Sequence, residues 1–321
     1  MSDALKPEDT RDGLRKIGGL LFGIGVLMIF TRKSGAVDSW GEFPLFLVLA
    51  IPAALLYGGG VLTVRDTGGL RPWQSVYSVF GLILVPFALF QLVDLLDGDT
   101  GSSLNVFWVF GVTAALAFYA GAVAGIRFQL MLGALASIVA WSALWDEIIG
   151  LGDSIGVYRG LLGILAILLI IGGIALWRAR DDEEGLFAFS ELFTGAGIAA
   201  VLACAFGITS VTSLIPIPLP GFTGIETNNL WDVLLLLVSL GLISVGSLIG
   251  TRGPVYIGAI GLFLFLLIVG LDLNSDSPDP TSLGIWPLLL VIGGGALTAL
   301  SLSSFTLGDR PQQWVRSLKG K

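Results

Sequence analysis

The chain has 321 residues, 55% of them hydrophobic and 13% charged, with a mean hydropathy of +0.89 and a formal net charge of -7. A soluble domain carries roughly 25% charged residues, so the composition excludes that class and describes a polytopic membrane protein. There is no histidine and a single cysteine, Cys204. These absences argue against His-ligated haem, His-containing zinc sites, imidazole-based catalysis and any intramolecular disulfide.

A helix needs about 20 apolar residues to cross the hydrocarbon core, and about 17 to 25 are tolerated. In chain order, ten runs meet this: residues 14–31, 43–64, 73–93, 104–125, 128–145, 161–177, 186–209, 230–249, 255–271 and 283–304. They are continuous, without the alternation of barrel strands, and predict an all-α transmembrane helix bundle of about ten spans. The first includes Arg15 and Lys16, which must snorkel, and the fifth and sixth are short. Arg32 and Lys33 separate the first run from the small residues Ser34-Gly35-Ala36, so that run is read as a retained span and not as a cleaved signal. The expected organisation is an N-terminal segment 1–13, a transmembrane domain 14–304 and a basic tail 305–321.

Cytoplasmic loops carry an excess of Lys and Arg. With the amino terminus inside, fourteen of the seventeen basic residues fall on inner segments, and only Arg32, Lys33 and Arg159 fall outside. Both termini are therefore expected in the cytoplasm, and the location expected is the cell (inner) membrane. The acids divide eleven inside and thirteen outside, so the inner face is net basic and suits anionic lipid. The acidic outer face argues against nucleic acid as a partner. Trp40, Trp108, Trp141, Trp145, Trp231 and Trp286 lie near outer span ends and Trp73, Trp177 and Trp314 near inner ones, as expected of rings that prefer the headgroup level.

Two connections are tight. Ile126-Arg127 joins the fourth and fifth spans, and Thr251-Arg252-Gly253-Pro254 the eighth and ninth; Pro254 suits a helix start because the N–H it lacks would be unpaired there. Between the seventh and eighth spans, Pro216, Pro218 and Pro220 alternate with apolar residues. Proline at every second position blocks a helix, which leaves an extended outer segment, packed over helix ends or serving as a gate.

The chain also resembles itself. Gly121-x3-Gly125-x-Arg127-x5-Gly133-Ala134 recurs 125 residues later as Gly246-x3-Gly250-x-Arg252-x5-Gly258-Ala259. A second motif reads Gly58-Gly59-Gly60-Val61-Leu62, Gly172-Gly173-Ile174-Ala175-Leu176 and Gly293-Gly294-Gly295-Ala296-Leu297. Together they suggest a four-helix parallel repeat, 43–145 and 161–271, with 283–304 starting a third copy. Close packing alone is the competing explanation, because Gly-x3-Gly faces let helix backbones approach; Gly121 with Gly125 and Gly246 with Gly250 are the expected packing positions.

Ionisable groups inside a bilayer are costly and usually mark ion or proton routes. Glu191 is the deepest here, while Asp146, Glu147 and Asp232 stand at span ends. Glu191 has a structural explanation as an acid near a helix start and a functional one as a transport residue. Gln91 and Gln129 are near ends, which leaves Ser, Thr and Tyr119 to line a polar route. Asp272-x-Asn274-x-Asp276 begins like a calcium loop, but Ser277 replaces the turn glycine and Leu283 the bidentate glutamate. No catalytic constellation, cofactor site or metal site is expected. In the tail, Trp314, Val315 and Leu318 alternate with Arg316, Lys319 and Lys321, a pattern suited to the inner leaflet surface or to a solvated end.

Gly-rich spans with short loops, and twelve arginines against five lysines, resemble the uncharacterised multi-pass proteins of GC-rich bacteria. The resemblance covers the whole chain, has no diagnostic motif and transfers neither activity nor functional residue. The reading that follows is a non-enzymatic integral membrane protein supporting assembly, lipid organisation or a partner complex, its partners being membrane lipids and other membrane proteins or a second copy. The competing reading is a permease or channel for a neutral or lipophilic small molecule.

Overall fold

The computed structural model describes residues 7–34, 40–67, 70–150, 155–180, 183–205 and 229–270. Among them there is no strand, and nine helices follow in order: α1 (Pro7–Ser34), α2 (Glu42–Thr67), α3 (Pro72–Leu95), α4 (Ser103–Ala122), α5 (Phe128–Ile149), α6 (Ile155–Ala179), α7 (Glu183–Ala205), α8 (Asn229–Ile249) and α9 (Arg252–Gly270). Eight, α1 to α8, are long and apolar enough to cross a membrane, and α9 is a shorter apolar helix. This is the architecture of a multi-pass membrane protein. The expected tenth span, the Pro216, Pro218 and Pro220 segment, the Asp272 loop and the tail lie outside the described residues.

The fifth and sixth helices are longer than their apolar runs, with 22 and 25 residues. α5 continues past Asp146 and Glu147 because both acids are exposed there, and it stops at Gly150, whose φ of 68° is left-handed and whose N–H bonds Asp146 O. α6 starts earlier than expected because its polar first turns face the bundle. Tyr158 Oη lies 2.9 Å from Ser142 Oγ, Trp141 Nε1 donates to Leu161 O, and Arg159 is only 5% exposed.

The chain divides into two compact units. Met1–Ala199 holds α1 to α6 and most of α7, while Ala200–Lys321 holds the end of α7 with α8 and α9. In the first unit α2 and α3 form the most extensive pair. A Cβ on Gly60 would fall 2.6 Å from Ser78 N, and one on Gly81 would collide with the Tyr57 backbone, so both glycines are required for contact at this distance. Gln74 is buried between the two helices and satisfied there, its Oε1 accepting from Arg71 N and its Nε2 donating to Thr63 Oγ1. Tyr57 Oη donates to Leu116 O at 2.6 Å and ties α4 to the pair. α1 places Gly19 and Gly23 against the rings of Tyr77 and Phe80, and an apolar cluster of Val26, Leu49, Ala53, Leu56, Leu84 and Ala88 closes the three-helix contact.

The α4–α5 hairpin of the first unit and the α8–α9 hairpin of the second share their internal geometry. A Cβ on Gly121 would stand 2.5 Å from Leu130 Cγ, and one on Gly246 2.8 Å from Val255 Cγ2; one on Gly133 would stand 2.7 Å from Phe118 Cδ1, and one on Gly258 2.8 Å from Ile243 Cγ1. Each of these partners is displaced by the 125 residues that separate the sequence motifs. Gly121 and Gly246 thus sit at close helix contacts. Gly125 and Gly250 differ from the packing role expected of them: they follow the helix ends with φ of 73° and 76°, and a Cβ there would meet nothing within 4 Å. Their part is to reverse the chain in a conformation that β-carbons disfavour.

Candidate functional site

Polar groups within the spans have mostly been absorbed by the helices that carry them. Thr63, Thr113, Ser137, Ser142, Thr194 and Ser239 each donate a hydroxyl proton to the carbonyl four residues earlier, at 2.5 to 2.8 Å. A hydroxyl satisfied in this way costs little in an apolar setting, and its donor is already engaged. These hydroxyls remain available as acceptors, as Thr63 Oγ1 is to Gln74 Nε2, but could donate to a solute only by breaking intrahelical bonds.

Glu191 lies in the first half of α7, the most enclosed of the eight helices long and apolar enough to cross a membrane. It is half-buried and makes no hydrogen bond or ion pair among the described residues. Its neighbours Ser190 and Thr194 are buried, with Thr194 bonded to Ser190 O. The stack of Trp177, Phe189 and Phe193 flanks this stretch, with centroids 5.7 and 5.4 Å apart. Tyr119 on α4 is 44% exposed, and no hydrogen bond joins it to Glu191. The two residues are on different helices and form no shared constellation in the described structure. Pro216, Pro218 and Pro220 fall outside the described residues.

Two polar residues matter more than the sequence indicated. Gln129, in the first turn of α5, is wholly buried, and neither its Oε1 nor its Nε2 has a hydrogen-bond partner among the described residues. A buried amide without partners is unfavourable by about 1 to 3 kcal/mol, which makes it the most anomalous polar group in the described bundle. The available signal was its spacing: Gln129 shares a helix face with Gly133, Ala136, Ala140 and Ala143, all buried. Arg159 is the second, an arginine placed by its sequence in an outer loop but buried at the start of α6.

At the end where α5 starts and α6 finishes, charged residues join two turns. Arg127 pairs with Glu184 at 3.8 Å and lies over the Phe187 ring at 4.5 Å, while Arg180 donates to Ala122 O. The α4–α5 turn is thereby attached to the end of α6 and the start of α7. Around Asp99 the contacts are those of a loop: its carboxylate accepts from Gly101 N, its carbonyl from Asn105 Nδ2, and Asn105 accepts from Trp108 Nε1. Cys204 is buried and takes part in no disulfide.

Comparisons with family models, with curated proteins and with solved structures find no match to this chain.

Proposed function

We propose that this chain is a non-enzymatic integral protein of the cell (inner) membrane, with both termini cytoplasmic, whose helix bundle supports assembly, lipid organisation or a partner complex. The observation that carries the reading is how polar groups are used. Hydroxyls in the spans bond their own helices, while large apolar side chains such as Ile164, Ile167, Leu168 and Ile171 on α6 are exposed where lipid would lie. Fourteen basic residues on one set of alternating loops support the orientation. Mild extraction of the full chain followed by identification of copurifying lipid and protein is the test. Reproducible enrichment of a lipid class or membrane partner is expected; recovery of the chain with bulk lipid alone and no partner would remove the reading.

The second reading, a permease or channel for a neutral or lipophilic molecule, is favoured by two polar groups that have no partner among the described residues, the buried Gln129 amide and the half-buried Glu191. Its test is solute uptake into proteoliposomes, where Gln129→Leu and Glu191→Gln would each slow transport. Equal uptake by empty vesicles would exclude it for the solute tried.

Four-helix duplication is part of the same proposal. It is supported by the matched contacts of the α4–α5 and α8–α9 hairpins, and by the Gly-Gly motifs of α2 and α6, each of which lies against the following helix: Gly60 against Gln74 and Ser78, Gly173 against Phe189 and Leu192. A parallel repeat of even length keeps successive copies in one membrane orientation, as the charge pattern requires.

A further inference from the structure

A cluster of charged and aromatic groups lies where the first turns of α1 meet the start of α3. Asp12 links two arginines that are 56 residues apart: Arg71 Nη1 lies 3.4 Å from Asp12 Oδ2, and Arg15 Nη1 lies 3.8 Å from Asp12 Oδ1. The Arg15 guanidinium also rests over the Trp73 ring, 5.1 Å from its centroid, and Trp73 meets the Tyr77 ring edge-on at 5.1 Å. Trp73 is 7% exposed, and its indole N–H has no hydrogen-bond partner. Both arginine side chains remain substantially exposed, Arg15 by 52% and Arg71 by 38%.

We infer that this cluster is a binding site for the phosphate of an anionic phospholipid. Two guanidiniums and one carboxylate leave a net positive charge, and planar forks match phosphate oxygens two at a time. Asp12 holds both forks near one point and so lowers the ordering cost of binding. Trp73 and Tyr77 supply the aromatic wall usual at headgroup depth. Gly19 and Gly23, with the rings of Tyr77 and Phe80 against them, continue the α1–α3 contact deeper into the span, beside the exposed Leu20 and Ile24 that acyl chains would cover. An exposed arginine pair alone would be explained by membrane orientation; the shared carboxylate and the stacked ring that fix both guanidiniums indicate a ligand.

The inference rests on the proposed lipid-organising reading and makes it specific to one site. The purified full chain in detergent is titrated with phosphatidylglycerol, phosphatidylcholine or inorganic phosphate, and bound molecules are counted by native mass spectrometry. Saturable binding of phosphatidylglycerol in preference to phosphatidylcholine is expected. The double variant Arg15→Lys with Arg71→Lys keeps the charges that orient the chain but removes both forks, and should bind about tenfold more weakly. Arg178→Lys, at an exposed position on α6, should bind as the parent does. Equal binding by the double variant would overturn the site, whereas the lipid-organising reading would fail separately if no lipid class were enriched on mild extraction. Displacement of the lipid by millimolar inorganic phosphate would overturn the lipid assignment in favour of a soluble phosphate compound.

Discussion

Tyr57 and Gln129 show two opposite fates for a polar side chain in this bundle. The Tyr57 hydroxyl reaches from α2 to the Leu116 carbonyl of α4, so Tyr57→Phe should lower stability by about 1 kcal/mol, measured as the thermal midpoint in a fixed detergent. The Gln129 amide reaches nothing. Gln129→Leu keeps similar volume and removes the unsatisfied group, and the expected result is a midpoint equal to or above that of the parent, since an unpaired buried amide costs about 1 to 3 kcal/mol. A marked fall would mean that the amide has a partner, such as bound water, in the membrane-embedded protein. Neither fate was legible beforehand. Tyr57 and Gln129 are ordinary in composition, and their difference depends on which carbonyl lies within 3 Å, a property of helix packing. Arg159 shows the same limit, being a loop residue by pattern and a buried one in the fold.

At helix ends, charge and backbone geometry carry separate information. Arg71 and Arg127 occupy N-cap positions and α9 opens on Arg252, whereas Glu42 and Asp232 lie in the first turns of α2 and α8. A cation at a helix N-terminus opposes the dipole by a few tenths of a kcal/mol, so these arginines do not serve their helices, and the proposed sidedness of insertion would account for them. The glycines after α4 and α8 have near-identical φ. Gly125→Ala and Gly250→Ala should therefore each destabilise by about 1 kcal/mol, a β-carbon being disfavoured in the left-handed region. Thermal or chemical unfolding in detergent measures this, and clearly unequal losses would count against equivalent turns. Gly121→Val should cost more, because its side chain would displace Leu130. The motif that contains these residues was visible in the sequence. Its division into a packing glycine and a turning glycine was not, because spacing alone places Gly121 and Gly125 on one helical face, and the helix ends between them.

At the scale of the whole molecule, sidedness and duplication can each be checked directly. In a Cys204→Ala background, single cysteines at Ser102 and Ser277 should label only from outside and one at Ser317 only after the membrane is opened; labelling of Ser102 from the cytoplasm would refute the orientation. An experimental structure should superpose residues 43–145 on 161–271 without inversion. The helical, membrane-spanning character and the positions of the nine helices among the described residues followed from the amino-acid sequence by itself. The physical reason is that a bilayer tolerates only backbone whose hydrogen bonds close internally, so a run of about 20 apolar residues has few alternatives. The proposed sidedness likewise rests on charge alone, because it acts at insertion, which precedes packing. Tertiary structure alone decided how the helices use their few polar groups: Gln74 satisfied and Gln129 orphaned, Arg159 enclosed, and Arg15 and Arg71 brought onto one aspartate from distant parts of the chain. Those outcomes depend on contacts of a few ångströms between helices, which hydropathy and charge counts do not encode.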